Sequence, residues 1–181
     1  MPTEAQSPAR RAAPAISVTR RSKAVAVSSA TLKKLAAFVA KREGYGLADV
    51  DLAVVDAAEM DELNRRHLHA AGPTDVLSFD LSEAGKTGLF AQIVVCADVA
   101  VKQGPLRGLS SRHELMLYVV HGLLHLMGYA DHTVRGAARM HAREDELLTA
   151  FGAGPAFHGN SKFESRNTKQ TRERQIRNGL S

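Results

Sequence analysis

The segment SSRHELMLYVVHGLLHLMGY, residues 110–129, sets the strongest limit on what this chain can fold into. From Leu115 to Val120 it is unbroken apolar, and Leu123, Leu124, Leu126 and Met127 extend the run. A helix that is apolar nearly all round is stable only inside a core, so the rest of the chain must supply layers to enclose it. Ser110 or Ser111 can cap its start, and Gly128 can adopt the left-handed conformation that stops it. Two histidines nevertheless lie inside this element. His121 and His125 are four apart, so they stack on one face a single turn from each other. Glu114 sits on that same face two turns earlier.

The enclosing layers are mixed. Strand patterns fall within 15–27 and at 49–56, 75–81 and 90–98. Residues 28–44 read as a helix capped by Ser28 or Ser29, with Leu32, Leu35, Phe38 and Val39 inward and Gly44 at its end. Asp56 and Glu59 form a capping box that opens a helix to about Leu68. Residues 98–108 hold a short helix broken near Gly104-Pro105. Residues 133–152 form a last amphipathic helix with Met140, Leu147, Leu148 and Phe151 inward. Segregated helices beside about four strands predict an α+β fold. The expectation is a single small domain, residues 15–152, with a central mixed sheet and helices packed over it. Residues 1–14 and 153–181 are expected to be disordered tails.

Charge separates the tails from the body. Of 24 basic residues, five lie in 1–23 and six in 153–181; of 19 acidic residues, those segments hold one and two. The body between keeps 13 basic against 16 acidic residues and is mildly acidic. Basic tails attract polyanions such as RNA. Aromatic residues make up only 5% of the chain and tryptophan is absent, so base-stacking platforms are scarce. The single cysteine, Cys96, excludes an intramolecular disulfide and fits a reducing compartment. No apolar run approaches the roughly 18–20 residues that span a bilayer, and the start lacks the apolar stretch of a secretory signal. A soluble cytoplasmic protein is expected.

The histidine pair carries the chemistry. An i, i+4 pair followed by a glycine turn lets a helix offer two imidazoles and a third donor to one cation, with a fourth position left for water. A cation so held lowers the pKa of water and generates a nucleophile near neutral pH. The spacing runs His121, His125, Gly128, Asp131, with His132 next. Spacing favours Asp131 as third ligand; ligand frequency favours His132. A zinc peptidase of the HExxH type needs a glutamate directly after the first histidine, and here that position is Gly122. Glu114 is the remaining candidate base. His67, His69, His113, His141 and His158 read as surface histidines with no metal role.

Three segments together resemble the bacterial YbeY family of metal-dependent endoribonucleases: HGLLHLMGYADH at 121–132, PTDVLSF at 73–79 preceded by Leu63-Asn64, and, more weakly, AQIVVCADVA at 91–100. The resemblance covers about residues 48–152. It implies a small α+β domain with one zinc ion at the histidine cluster. It further implies cleavage of single-stranded RNA, 3′-end maturation of small-subunit rRNA and ribosome quality control. The chain departs from the family pattern at three places. Asp131 stands where the family has its final histidine, Leu68 where it tends to carry an arginine, and Gln92 where it has an acid.

Cationic help for a reacting phosphate is assigned to Arg65 and Arg66, with Glu114 as a further catalytic candidate. Arg65, Arg66, Lys102 and Arg107 are the RNA-binding candidates. Ser78 and Asp80 are placed in a groove beside the metal. The expected partners are precursor rRNA, the small ribosomal subunit and its proteins, with the chain a monomer. The competing readings are a zinc peptidase-like hydrolase and a non-catalytic ribosome-associated protein with a structural metal.

Overall fold

A computed structural model describes residues 15–82 and 88–157. Nine elements follow one another: β1 (Ala15–Arg20), α1 (Ser29–Arg42), β2 (Leu47–Val55), α2 (Ala57–Leu68), β3 (Val76–Asp80), β4 (Leu89–Cys96), α3 (Ala97–Leu106), α4 (Ser111–Leu126) and α5 (Val134–Phe151). The four strands form one sheet in the order β1-β2-β4-β3. β1 and β2, and β2 and β4, pair in parallel; β3 runs antiparallel to β4. The fold is α+β with a mixed sheet.

Strand alternation divides the core between the two faces of the sheet. Val50, Leu52 and Val54 of β2, with Ala91, Ile93 and Val95 of β4, join the large cluster containing α1, α4 and α5. Ala53, Val55, Val94 and Cys96 point the other way and pack on Met60 of α2. Helix α4 lies in the large layer, and ten of its sixteen residues are buried, including Glu114. One position lets it come so close to the sheet. A Cβ at Gly122 would stand 2.7 Å from Ser78 Oγ and 3.0 Å from Val76 Cγ2. The Val76 and Ser78 side chains of the PTDVLSF strand therefore pack directly against the backbone of α4.

Ser28, Asp56 and Ser110 cap the helices the sequence assigns to them, and Thr133 caps α5. Ser28, Asp56, Ser110 and Thr133 each accept a hydrogen bond from a backbone N–H in the first turn of their helix. Gly128, with φ +89°, turns the chain out of α4.

Three expectations are corrected. The last strand ends at Cys96, and Ala97-Asp98 open α3 instead, because the Asp98 carboxylate accepts the first amide of α2, Ala57 N–H, at 2.8 Å. Helix α3 continues through Gly104-Pro105 to Leu106. Pro105 lies in its final turn and its carbonyl accepts from Gly108 N–H at 3.1 Å, so the turn closes despite the missing donor. Residues 153–157 are not a free tail: Asp145 accepts from the amides of Ala156 and Phe157, and the Phe157 ring stacks on His141 at 4.1 Å. The expected tails at 1–14 and 158–181 lie outside the described residues.

Candidate metal centre

Helix α4 delivers both imidazoles to its C-terminal end, where Gly128 folds the next residues back over them. The Nε2 atoms of His121 and His125 face each other at 2.9 Å, with ring planes at 90°. A carboxylate oxygen of Asp131 lies 4.0 Å from His121 Nε2 and 3.9 Å from His125 Nε2. Among the described residues, His121, His125 and Asp131 bring one donor atom each within 4.8 Å of one another, a group that can bind a metal ion.

The outer nitrogens show why this donor set fits a cation. His121 Nδ1–H donates to Glu144 Oε1 at 2.7 Å, and His125 Nδ1–H donates to the Tyr129 carbonyl at 3.1 Å. A carboxylate and a carbonyl only accept, so both protons belong on Nδ1. Both Nε2 lone pairs then converge on one point beside a carboxylate. Unprotonated, that arrangement is repulsive, and a divalent cation relieves it. The group itself holds two nitrogens and an oxygen.

The two rings are biased in opposite directions. Burial disfavours charge on His121, but the hydrogen bond and negative charge of Glu144, helped by Asp75 and Asp131, outweigh it and hold its pKa above the usual value. Burial also acts on His125; the neighbouring His121 adds to it, and its pKa is lowered.

Glu144 is the partner of His121 that the sequence reading missed. Its side chain is fully buried on the face of α5 that carries Met140, Leu147 and Leu148. An acid in the middle of an apolar stripe was the available signal. The loop half of the centre is anchored separately. Tyr129 O–H donates to Glu43 Oε2 at 3.0 Å, and Arg143 Nε donates to Glu43 Oε1 at 2.6 Å. Gly136 lets α5 approach that loop, since a Cβ there would stand 2.3 Å from the Ala130 carbonyl oxygen.

The other candidates lie elsewhere. His132 is exposed, with Nδ1 3.6 Å from the Asp131 carboxylate, and falls outside the convergent group. Glu114 is fully buried against Arg107, at 3.2 Å, two turns before His121. Burial raises its pKa, with Arg107 opposing. Arg107 is thereby turned inward, its guanidinium also over the Phe157 ring at 5.7 Å. Arg65 and Arg66 are exposed on α2 and ion-paired with Asp61 and Glu62; Lys102 is exposed on α3. Ser78 lies beneath α4 at Gly122, while Asp80 is exposed and caps Ser82 N–H. Leu68 is exposed at the end of α2.

The chain is similar to known proteins over most of the described residues. A family model described as Endoribonuclease YbeY matches residues 17–152. An Endoribonuclease YbeY of Moorella thermoacetica is 39% identical over 133 residues, spanning 67% of this chain and 85% of that relative. That of Acidothermus cellulolyticus is 38% identical over 149 residues, 75% of this chain and 90% of its own. A Thermotoga maritima protein whose structure was solved in solution is 25% identical, with a TM-score of 0.53 over 81% of this chain and 98% of that one.

Proposed function

The chain belongs to the YbeY endoribonuclease family, and from that premise we propose that it cleaves single-stranded RNA with one zinc ion held by His121, His125 and Asp131. Membership makes it an RNA-cleaving enzyme; the metal, its ligands and the task are our reading. The task is 3′-end maturation of small-subunit rRNA and ribosome quality control, carried out in the cytoplasm by a monomer in contact with ribosomal proteins. No helix among the described residues is long and apolar enough to cross a membrane.

The observation that carries the proposal is the pair of Nε2 atoms facing each other at 2.9 Å with both outer nitrogens already committed to acceptors. Zinc suits two imidazoles and a carboxylate, and supplies Lewis acidity toward a phosphodiester oxygen and toward water. The chain's own residues do the rest. Glu144 fixes the tautomer and orientation of His121, and the Tyr129 carbonyl does the same for His125. Asp131 contributes the oxygen ligand from beyond the turn, and His132 stays outside. Arg65, Arg66 and Lys102 serve as outer contacts to the RNA backbone. Glu114 and Arg107 hold the core behind the centre and take no part in the chemistry.

The peptidase reading is disfavoured on a specific observation. Gly122, where a HExxH enzyme has its general base, faces Ser78 of the sheet with no room for a side chain. The test is metal analysis followed by RNA and peptide cleavage, with His121→Ala alongside the wild type. We expect one zinc per chain, RNA cut by the loaded wild type only, and no peptide cleavage. Peptide hydrolysis, or stoichiometric zinc without RNA turnover, overturns the proposal.

A further inference from the structure

We propose that the cavity beside Asp131, lined by Ala130, Thr133, Arg135, Gly136 and Arg139, binds a backbone phosphate of the RNA next to the one being cut. The proposal rests on the RNA-cleaving function argued above and names how that substrate is held.

The cavity has a volume of about 650 Å³. Its wall begins at Ala130, the residue before the carboxylate that lies 3.9–4.0 Å from the two imidazoles. The guanidinium of Arg139, also in its lining, lies 5.4 Å from the centre of the Tyr129 ring, and the Tyr129 carbonyl orients His125. The cavity and the candidate metal centre thus share the loop that carries Tyr129, Ala130 and Asp131.

Five of the ten described arginines are held in ion pairs, and the two that line the cavity are not among them. Arg21, Arg65, Arg66, Arg107 and Arg143 are all paired with carboxylates. Arg135 and Arg139 have no ion-pair partner among the described residues, no carboxylate lines the cavity, and the first turn of α5 contains no acid. The two arginines are four apart, so their like charges share one helix face and repel. An anion between them turns that repulsion into attraction. Guanidinium presents a planar fork of donors that matches phosphate geometry. The anion an endoribonuclease meets beside its reacting centre is the next phosphate of the same strand. Arg65 and Arg66, already neutralised on α2, offer less to it.

The test uses the full chain, the double variant Arg135→Gln/Arg139→Gln, and a control, Lys33→Gln/Lys34→Gln, that loses the same charge from exposed positions on α1. A fluorescent single-stranded oligoribonucleotide is titrated in EDTA, so that it is not cut, across a range of salt. Each phosphate contact to a single strand contributes about 0.7 to the slope of log K against log salt. The double variant should bind more weakly, with a slope shallower by about 0.7, while the control keeps the wild-type slope. After zinc is restored, the double variant should hold wild-type zinc and cut RNA with a raised KM. Wild-type slope and KM in the double variant, an equal loss in the control, or a wild type that does not bind RNA would each overturn the proposal. A wild type that binds with the expected slope yet never cuts would remove the ribonuclease reading and leave the phosphate site standing.

Discussion

Two glutamates among the described residues are completely buried, and they are put to opposite uses. Glu114 of α4 faces Arg107 at 3.2 Å; Glu144 of α5 faces His121 Nδ1 at 2.7 Å. Both are taken out of water at a cost that only a close positive or hydrogen-bonding partner offsets. Arg107 is a permanent cation, so the Glu114 pair is closed upon itself and ties the end of α3 to α4. The partner of Glu144 is an imidazole whose far nitrogen points at Asp131 and His125. Whatever Glu144 does to one side of that ring is felt at the other. Burial of an acid is thus no sign of function; the partner's second face decides.

The largest effect should come from breaking the closed pair. Removing one member of a buried ion pair typically costs about 3–5 kcal/mol, and Arg107→Ala should lose stability on that scale at neutral pH with zinc stoichiometry unchanged. The loss should depend on pH in a defined sense. Burial holds the Glu114 pKa above its ordinary 4.5 even with Arg107 present. A carboxyl raised in the folded state contributes stability that is full below the unfolded pKa and is lost as pH rises through the folded one. Without Arg107 the Glu114 pKa rises further, so the penalty of the variant should be smallest near pH 4.5 and grow toward neutrality. Urea melts at several pH values check this. A penalty that does not change with pH would mean that Arg107 acts through its contact with Phe157 rather than through Glu114.

Glu144→Gln should do the converse. The amide keeps the volume and can still accept from His121, but it removes the charge that favours the ligand's basicity. Loss of such an outer partner typically weakens metal binding about 10–100-fold. Competition against a zinc chelator measures it, with thermal melting of the same variant as the second axis. Zinc affinity equal to the wild type's would erase the distinction between the two glutamates.

How far the sequence carried this distinction can be read residue by residue. The buried helix, its two histidines, the glycine turn and the α+β class with about four strands follow from periodicity and capping, both properties of neighbours along the chain; the central sheet with helices packed over it was implied by the family resemblance. Glu114 was visible because it shares a helix with the histidines. Glu144 lies 23 residues beyond His121 on a different helix, and only folding brings them together. The same holds for Gly122 and Gly136, whose necessity comes from Ser78 and the Ala130 carbonyl. Residues 153–157 were misjudged because the Asp145 carboxylate and the His141 ring that hold them lie a helix length back.

The smallest effect should come from the loop side of the centre, where the partner of the ring is a backbone carbonyl that no substitution deletes. Tyr129→Phe leaves that carbonyl but removes the O–H that donates to Glu43. Burial, with the Glu43 hydrogen bond adding to it, raises the phenol's pKa, so the O–H is intact as a donor at neutral pH. Tyr45 O–H still donates to the Met127 carbonyl at 3.3 Å, so the loop retains that anchor, and Glu43 keeps its pair with Arg143. The cost should be that of one hydrogen bond, about 0.5–1.5 kcal/mol in stability. Zinc affinity should fall less than in Glu144→Gln, because the loop can settle back on its remaining contacts, whereas the lost charge at position 144 has no replacement. Equal zinc loss in the two variants would show that loop position governs the centre as strongly as the buried carboxylate, and the two imidazoles would then be held on equal terms.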